Sequence, residues 1–273
     1  MCEHVCAGVS HCNPLSDAYI GYPLSPDHVD WSVHYPFYFT GERGKAPLPN
    51  SEKEPVVYDP DVRPCQSFTV DFIDIGCGFG GMCYELARQY PDKIILGMEI
   101  RDKVATFVSK KIHAYRQQQV GQNSVDGQYS TYENCAVLRT NAMKFLSNYL
   151  RKGSLEKAFF LFPDPQFKRN KWRRRIVTPQ LLSLYAYHLK ETEGRLYFVT
   201  DVHDLFVWIE HSCQKHPLFK RIPEEQCLDD PAYTAMFNTT DECKKAIRLN
   251  QKLFGACYQR LPNTRSLLTP NNS

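Results

Sequence analysis

Glycines at 76, 78, 80 and 81 form the turn Gly76-Cys77-Gly78-Phe79-Gly80-Gly81, whose missing side chains permit a tight bend and close backbone approach by a ligand. Glu99 follows about 20 residues later, where an open α/β sheet places an acceptor for ribose hydroxyls. Asp74 stands two residues before the first glycine. A dinucleotide would bring a diphosphate to the helix N-terminus behind this turn, and Asp74 would repel it. S-adenosylmethionine carries ammonium and sulfonium groups that a carboxylate attracts, so the stretch favours that cofactor. Read as a turn cap, Asp74 leaves both cofactors open.

Further polar residues sit where chemistry is expected. Asn141 follows an apolar run and can meet an adenine edge or cap the next helix. Lys168, Arg169, Lys171, Arg173, Arg174 and Arg175 fall within eight positions, as phosphate contacts or as a solvated loop. Trp172, among them, can stack on a base or anchor the loop. Arg101, Lys103, Lys110, Lys111, His113 and Arg116 give the segment 101–119 a basic face. Cys2, His4, Cys6, His11 and Cys12 lack the C-x-x-C steps of zinc knuckles, so no metal is expected.

Elements that position these residues alternate along the chain. The β-branched and aromatic run at 68–75 reads as a buried parallel strand, and 82–90 as the helix behind the glycine turn. Strands at 94–98, 135–138, 157–162 and 196–200 alternate with helices at 101–119, 143–150, 178–190 and 202–215. Thr178-Pro179 is a cap followed by proline. Strands at 218–222 and 252–259 complete a doubly wound, mostly parallel seven-stranded α/β sheet of Rossmann-like type. Between these two, 223–236 is an acidic insertion and Thr240 caps a short helix.

The α/β domain is expected to span 67–262. Residues 1–66 form an N-terminal tail and linker packed on or extending from it, and 263–273 a C-terminal tail. Within the first segment, aromatics at 30–39 suggest packing against the core or a partner. The Pro, Gly, Lys and Glu of 41–64 read as a linker, and 121–133 as a polar surface loop. A hydrophobic content of 42% and an aromatic content of 13% exclude wholesale disorder. The 11 cysteines are scattered and odd in number, which suits reduced thiols. No signal-like start and no run of ~20 apolar residues is present, so a soluble, intracellular protein with no membrane span is expected.

With these residues on the page, the chain resembles the tRNA guanine-N7 methyltransferases, specifically the catalytic subunit of the eukaryotic type. The likeness rests on His11-Cys12-Asn13-Pro14, Asp30-Trp31-Ser32, Asp74-Ile75-Gly76-Cys77-Gly78, Leu96-Gly97-Met98-Glu99-Ile100-Arg101, Asn141-Ala142-Met143-Lys144, Phe159-Phe160-Leu161-Phe162-Pro163-Asp164-Pro165, Thr200-Asp201-Val202 and Thr240-Asp241-Glu242. The Phe-Phe-Leu-Phe-Pro-Asp-Pro run, followed by Phe-Lys-Arg, is far more specific than the glycine turn. The resemblance implies a class I S-adenosylmethionine-dependent fold. It implies a cofactor site lined by Gly76, Glu99, Ile100, Arg101, Asn141, Ala142 and Leu161 and closed by Thr240 and Glu242, with Asp164 as the catalytic carboxylate. It also implies a tRNA substrate met by Lys168, Arg169, Lys171, Arg173 and Arg174, a WD-repeat propeller as non-catalytic partner, and a nuclear location. Gln166 departs from the histidine usual in eukaryotic members, and 121–133 is longer than the family's corresponding loop.

Three other activities are weighed against this one. An amine methyltransferase would place a second proline or an aromatic directly behind the polar residue of its strand-four motif, which Asp164-Pro165-Gln166 does not match. A nicotinamide oxidoreductase conflicts with Asp74. A non-enzymatic RNA-binding module could keep the sheet and basic loop, yet would have no use for Asp164, Glu99, Thr240 and Glu242 together.

Overall fold

In the computed structural model, which describes residues 14–15, 20–64, 67–120 and 131–263, strands and helices alternate in the expected order. Helix α1 (Phe37–Thr40) precedes β1 (Phe72–Ile75), α2 (Gly81–Gln89), β2 (Ile95–Glu99), α3 (Asp102–Gln119), β3 (Cys135–Arg139), α4 (Ala142–Tyr149) and β4 (Lys157–Leu161). There follow α5 (Pro179–His188), β5 (Arg195–Thr200), α6 (His203–Lys215), β6 (Phe219–Arg221), α7 (Glu224–Cys227), α8 (Pro231–Ala235), α9 (Asp241–Arg248) and β7 (Phe254–Arg260). One seven-stranded sheet results, in the order β3-β2-β1-β4-β5-β7-β6. Strands β1 to β5 pair parallel, while β7 runs antiparallel to both β5 and β6.

The chain winds outward from β1 to β3 and then returns to lay β4 on the other side of β1. That reversal opens a crevice at the carboxyl ends of β1 and β4, where such sheets bind ligands. Successive residues alternate between two apolar layers. Ile73, Leu96, Phe160 and Phe198 bury on one side of the sheet, and Phe72, Ile95, Phe159 and Tyr197 on the other. Two-sided burial explains why these strands read as continuous apolar runs. Among the described residues, no helix is long and apolar enough to cross a membrane, and Cys77, Cys83, Cys135, Cys213, Cys227, Cys243 and Cys257 are free and buried.

The segment before β1 is not a linker in space. Trp31 and Tyr35 are buried in the core, and the Tyr35 hydroxyl donates to the Ile95 carbonyl at 2.9 Å. Residues 44–50 run between α3 and β3, the edge strand: Arg139 N, on β3, donates to Pro49 O at 2.6 Å, and Ser109 Oγ, on α3, to Pro47 O at 2.5 Å. Every residue of β3 is buried, so this edge of the sheet is not exposed to pairing with another chain. Composition could not show it, because Pro and Gly suit an extended strap as well as a linker.

Arg116 corrects the expected basic face. It is 1% exposed and donates to the carbonyls of Tyr132 (3.0 Å), Lys45 (2.8 Å), His34 (3.3 Å), Glu133 (3.3 Å) and Cys135 (2.8 Å). Glu133, assigned above to a surface loop, is likewise buried, lies 3.3 Å from the Arg116 Nε and accepts from Gly44 N at 2.6 Å. Residues 121–130 of that loop, the N-terminal metal candidates with His11-Cys12-Asn13, and 264–273 lie outside the described residues. Truncating Arg116 would take a donor from five carbonyls and the cation from a buried carboxylate. Arg116→Ala is therefore expected to lower the unfolding free energy by about 3 kcal/mol or more. Urea titration followed by tryptophan fluorescence checks this, and a midpoint equal to wild type would contradict it.

Candidate active site

The left-handed backbone of Gly76 (φ +77°), Gly78 (φ +53°) and Gly80 (φ +78°) explains the glycines of the turn, since side chains rarely adopt it. A methyl group placed on Gly76 would meet nothing within 4 Å, so open space lies over that end of the turn. On Gly81 it would strike the Thr239 carbonyl at 2.5 Å, because the start of α9 packs against the start of α2. Thr240 caps α9 by accepting from Cys243 N at 3.1 Å, which places Thr240 and Glu242 beside the glycine turn. The excursion 223–248 is held down from the far end of the sheet. There Asp230, 8% exposed, accepts from Lys157, Arg195, Tyr197 and Tyr90.

Glu99, at the carboxyl end of β2, is 3% exposed. Its Oε2 accepts from Gly78 N at 3.1 Å and from Arg101 Nη2 at 2.9 Å, and its Oε1 from Arg101 N at 2.9 Å and Nε at 3.0 Å. These contacts join the glycine turn, Glu99 and Arg101 into one unit, with Ile100 half-buried between them. Asn141 caps α4 by accepting from Met143 N at 3.1 Å, and its Nδ2 donates to the Pro14 carbonyl at 2.5 Å. The capping role weighed for it is thus present, and the same residue ties the N-terminal segment to the carboxyl end of β3. Ala142 and Leu161 are buried at the ends of β3 and β4.

Asp74 is the most unusual group in the site. It is 1% exposed, and among the described residues its Oδ2 receives only a long thiol contact from Cys83 at 3.6 Å and its Oδ1 has no hydrogen-bond partner. Burial pushes its pKa up to about 7, and Glu99 and Glu242 push in the same direction. A desolvated carboxylate with no cation against it among the described residues, below an open glycine cradle and beside the Glu99 carboxylate, suits a cationic nucleoside such as S-adenosylmethionine. It does not suit a diphosphate. Among the described residues no group of three His, Cys, Asp or Glu is arranged to hold a metal ion.

Across the crevice, Asp164 stands at the end of β4 between two prolines. Phe162 (φ +49°) and Gln166 (φ +46°) flank it in the left-handed region, strain that tends to mark functional turns. The Asp164 Oδ1 accepts from Gln166 N at 3.0 Å, which sets the carboxylate's direction. Arg175, counted above with the basic run, is a correction. It is 6% exposed, lies 4.7 Å from the ring centroids of both Trp172 and Trp208, and donates through Nε to Pro165 O at 2.9 Å. It therefore anchors the loop to the Asp164 turn, and Trp172 is a packing anchor. Nothing in the run of like charges distinguished Arg175 from its neighbours. The 3-10 turn Arg169–Arg174 leaves Lys168, Arg169, Lys171 and Arg173 exposed and Arg174 half-buried.

The sequence profile of the family described as "Putative methyltransferase" matches residues 69–256. The chain is 42% identical over 254 residues to a tRNA (guanine-N(7)-)-methyltransferase of Caenorhabditis elegans, covering 93% of this chain and 86% of the relative. It is 40% identical over 252 residues to the protein of that name from Zea mays, covering 92% and 89%. Among solved structures it is similar to the 30S ribosomal A1408 methyltransferase from an uncultured bacterium, at 16% identity and a TM-score of 0.44 over 71% of this chain and 89% of that one.

Asp74 supplies a test that does not depend on activity. Its folded pKa near 7 lies above the ordinary 3.8, so its contribution to stability is present below 3.8 and lost as pH rises to about 7. Asp74→Asn, neutral throughout, is expected to raise Tm relative to wild type by an amount that grows across that window and levels off above it. The same variant should bind S-adenosylmethionine more weakly in calorimetry. A Tm difference independent of pH would remove the buried charge from the argument.

Proposed function

Because the chain belongs to the tRNA (guanine-N(7)-)-methyltransferase family, an S-adenosylmethionine-dependent group, we propose that it methylates N7 of a guanine in the variable loop of tRNA. The observation that carries the reading is the pairing, across one crevice, of a cationic-nucleoside site at Asp74 and Glu99 with the rigid Pro163-Asp164-Pro165 turn. Gly76, Glu99, Ile100, Arg101, Asn141, Ala142 and Leu161 would hold the cofactor, with Thr240 and Glu242 at its edge. When bound, that cofactor supplies an electrophilic methyl group on sulfonium.

N7 of guanine carries a lone pair and no proton, so no residue has to remove a hydrogen before transfer. The chain's work is orientation, which can supply several kcal/mol of barrier reduction, and handling of charge. Asp164 meets positive charge that builds on the purine, so its carboxylate helps more in the transition state than before it. It can also accept from guanine N1-H and N2-H2, a pattern that adenine, with an acceptor at N1, does not offer. Lys168, Arg169, Lys171, Arg173 and Arg174 would contact phosphates and set the RNA's register by shape. A variable-loop guanine held in tertiary contacts has to be extruded to reach the crevice. A WD-repeat propeller partner orienting the RNA belongs to the same proposal and rests on the family resemblance.

The test is incubation of the full chain with bulk tRNA and labelled S-adenosylmethionine, with and without the propeller subunit, followed by mapping of N7-methylguanine. Label at a variable-loop guanine, increased by the propeller, is expected. No label in either arm would overturn the activity, and full activity indifferent to the propeller would overturn the partner. Asp164→Asn keeps the acceptor for Gln166 N and hence the turn, yet loses the charge. Single-turnover methylation should fall about 100-fold or more with little change in Tm, whereas near-normal turnover would leave Asp164 a turn residue only. Replacing Lys171 and Arg173 with Ala should reduce the magnitude of the salt slope of tRNA binding by about 1.4 to 1.8. An unchanged slope would make the loop a bystander.

A further inference from the structure

Phe79, the side chain at the centre of the glycine turn, remains 42% exposed, and Phe107, on the second turn of α3, is 49% exposed. Single exposed apolar residues are ordinary. These two are in contact, with ring centroids 5.7 Å apart at 89°. The contact is built from below: a methyl group on Gly80 would meet Val108 Cγ1 at 2.9 Å, so the turn lies directly on α3 beneath the pair. Gly78, the residue before Phe79, donates to Glu99 and approaches Arg101 Nη2. The aromatic pair therefore adjoins the cofactor site and is held by the same backbone.

Helix geometry sets the surroundings. Lys103 lies four residues before Phe107 and Lys110 three after it, so both flank the ring on one face, and both are exposed. Lys111 is different, since its Nζ sits 4.7 Å from the Tyr84 ring centroid. An edge-to-face pair leaves the outer face of one ring open, and two cations to either side of it match a nucleotide's spacing of base and phosphates. Apolar partners gain nothing from the lysines.

We propose that Phe79 and Phe107 form a stacking platform for a nucleoside of the RNA substrate beside the target guanine's entry, with Lys103 and Lys110 holding the adjoining phosphates. This rests on the tRNA reading above and adds a second contact surface, on the opposite side of the crevice from the Lys168 to Arg174 loop. Stacking tolerates any base, so the platform contributes affinity and register rather than sequence choice.

Binding of labelled tRNA to the full chain across a range of salt concentrations tests it. Phe107→Ala and Phe79→Ala should each weaken binding by about fivefold or more with the salt slope unchanged, and Phe107→Tyr should restore it. Changing Lys103 and Lys110 together to Ala should instead lower the slope magnitude by about 1.4 to 1.8. Binding of S-adenosylhomocysteine to Phe107→Ala, measured by calorimetry, should match wild type, as should its Tm. Ala variants within twofold of wild type for tRNA would overturn the platform alone. So would a loss confined to binding of the propeller subunit, which would make the pair a protein contact. A wild-type chain that neither binds nor methylates tRNA would overturn the function and the platform together.

Discussion

One buried guanidinium holds the active half of the fold together. Arg116 takes up carbonyls from the strap at Lys45, from the aromatic segment at His34, and from the approach to β3 at Tyr132, Glu133 and Cys135. A cation in that position is costly unless it is fully bonded, so each segment has to stand where its carbonyl can reach. The strap then covers the β3 edge, and α3 is fixed in rotation with Phe107, Lys103 and Lys110 turned outward. At the other end of the same helix, Arg101 completes the Glu99 cluster.

Charge is distributed in opposite ways on the two sides of the crevice. Below the glycine turn, acids crowd together: among the described residues no cation stands against the buried Asp74, and Glu99 and Glu242 raise its pKa further. The deficit there is one of positive charge, which a sulfonium nucleoside would fill. Beyond β4 the exposed surplus is cationic, and Arg175 is withdrawn from it to sit between two tryptophans. Burying this one cation serves the others, because its bond to Pro165 O joins the basic loop to the turn that carries Asp164. RNA engaged by the loop would thus be registered against the carboxylate by a short, stiff connection.

The excursion between β6 and β7 shows the same economy of position. Asp230 secures α8 at the amino ends of the strands, while α9 delivers Thr240 and Glu242 to their carboxyl ends, against a glycine at 81 that leaves no room for a side chain. The distance between anchor and delivery point is bridged by the short helix α8 and the turn after it.

The seven strands, their order of alternation with helices, and the glycine turn with its acid at 99 were legible in the sequence, because apolar periodicity and left-handed turns are local properties of the chain. The Phe-Pro-Asp-Pro run and the caps at Thr178 and Thr240 belong to the same class. Residues 41–64, Arg116, Glu133 and Arg175 were not legible. Their roles depend on partners far along the chain, 71 residues away for the bond from Arg116 to Lys45. A cation on a helix reads as solvated unless those partners are known. Asp74 lies between the two cases: its charge beside the turn was plain, whereas its burial, with no cation against it among the described residues, was decided only when the apolar layers enclosed β1 on both faces.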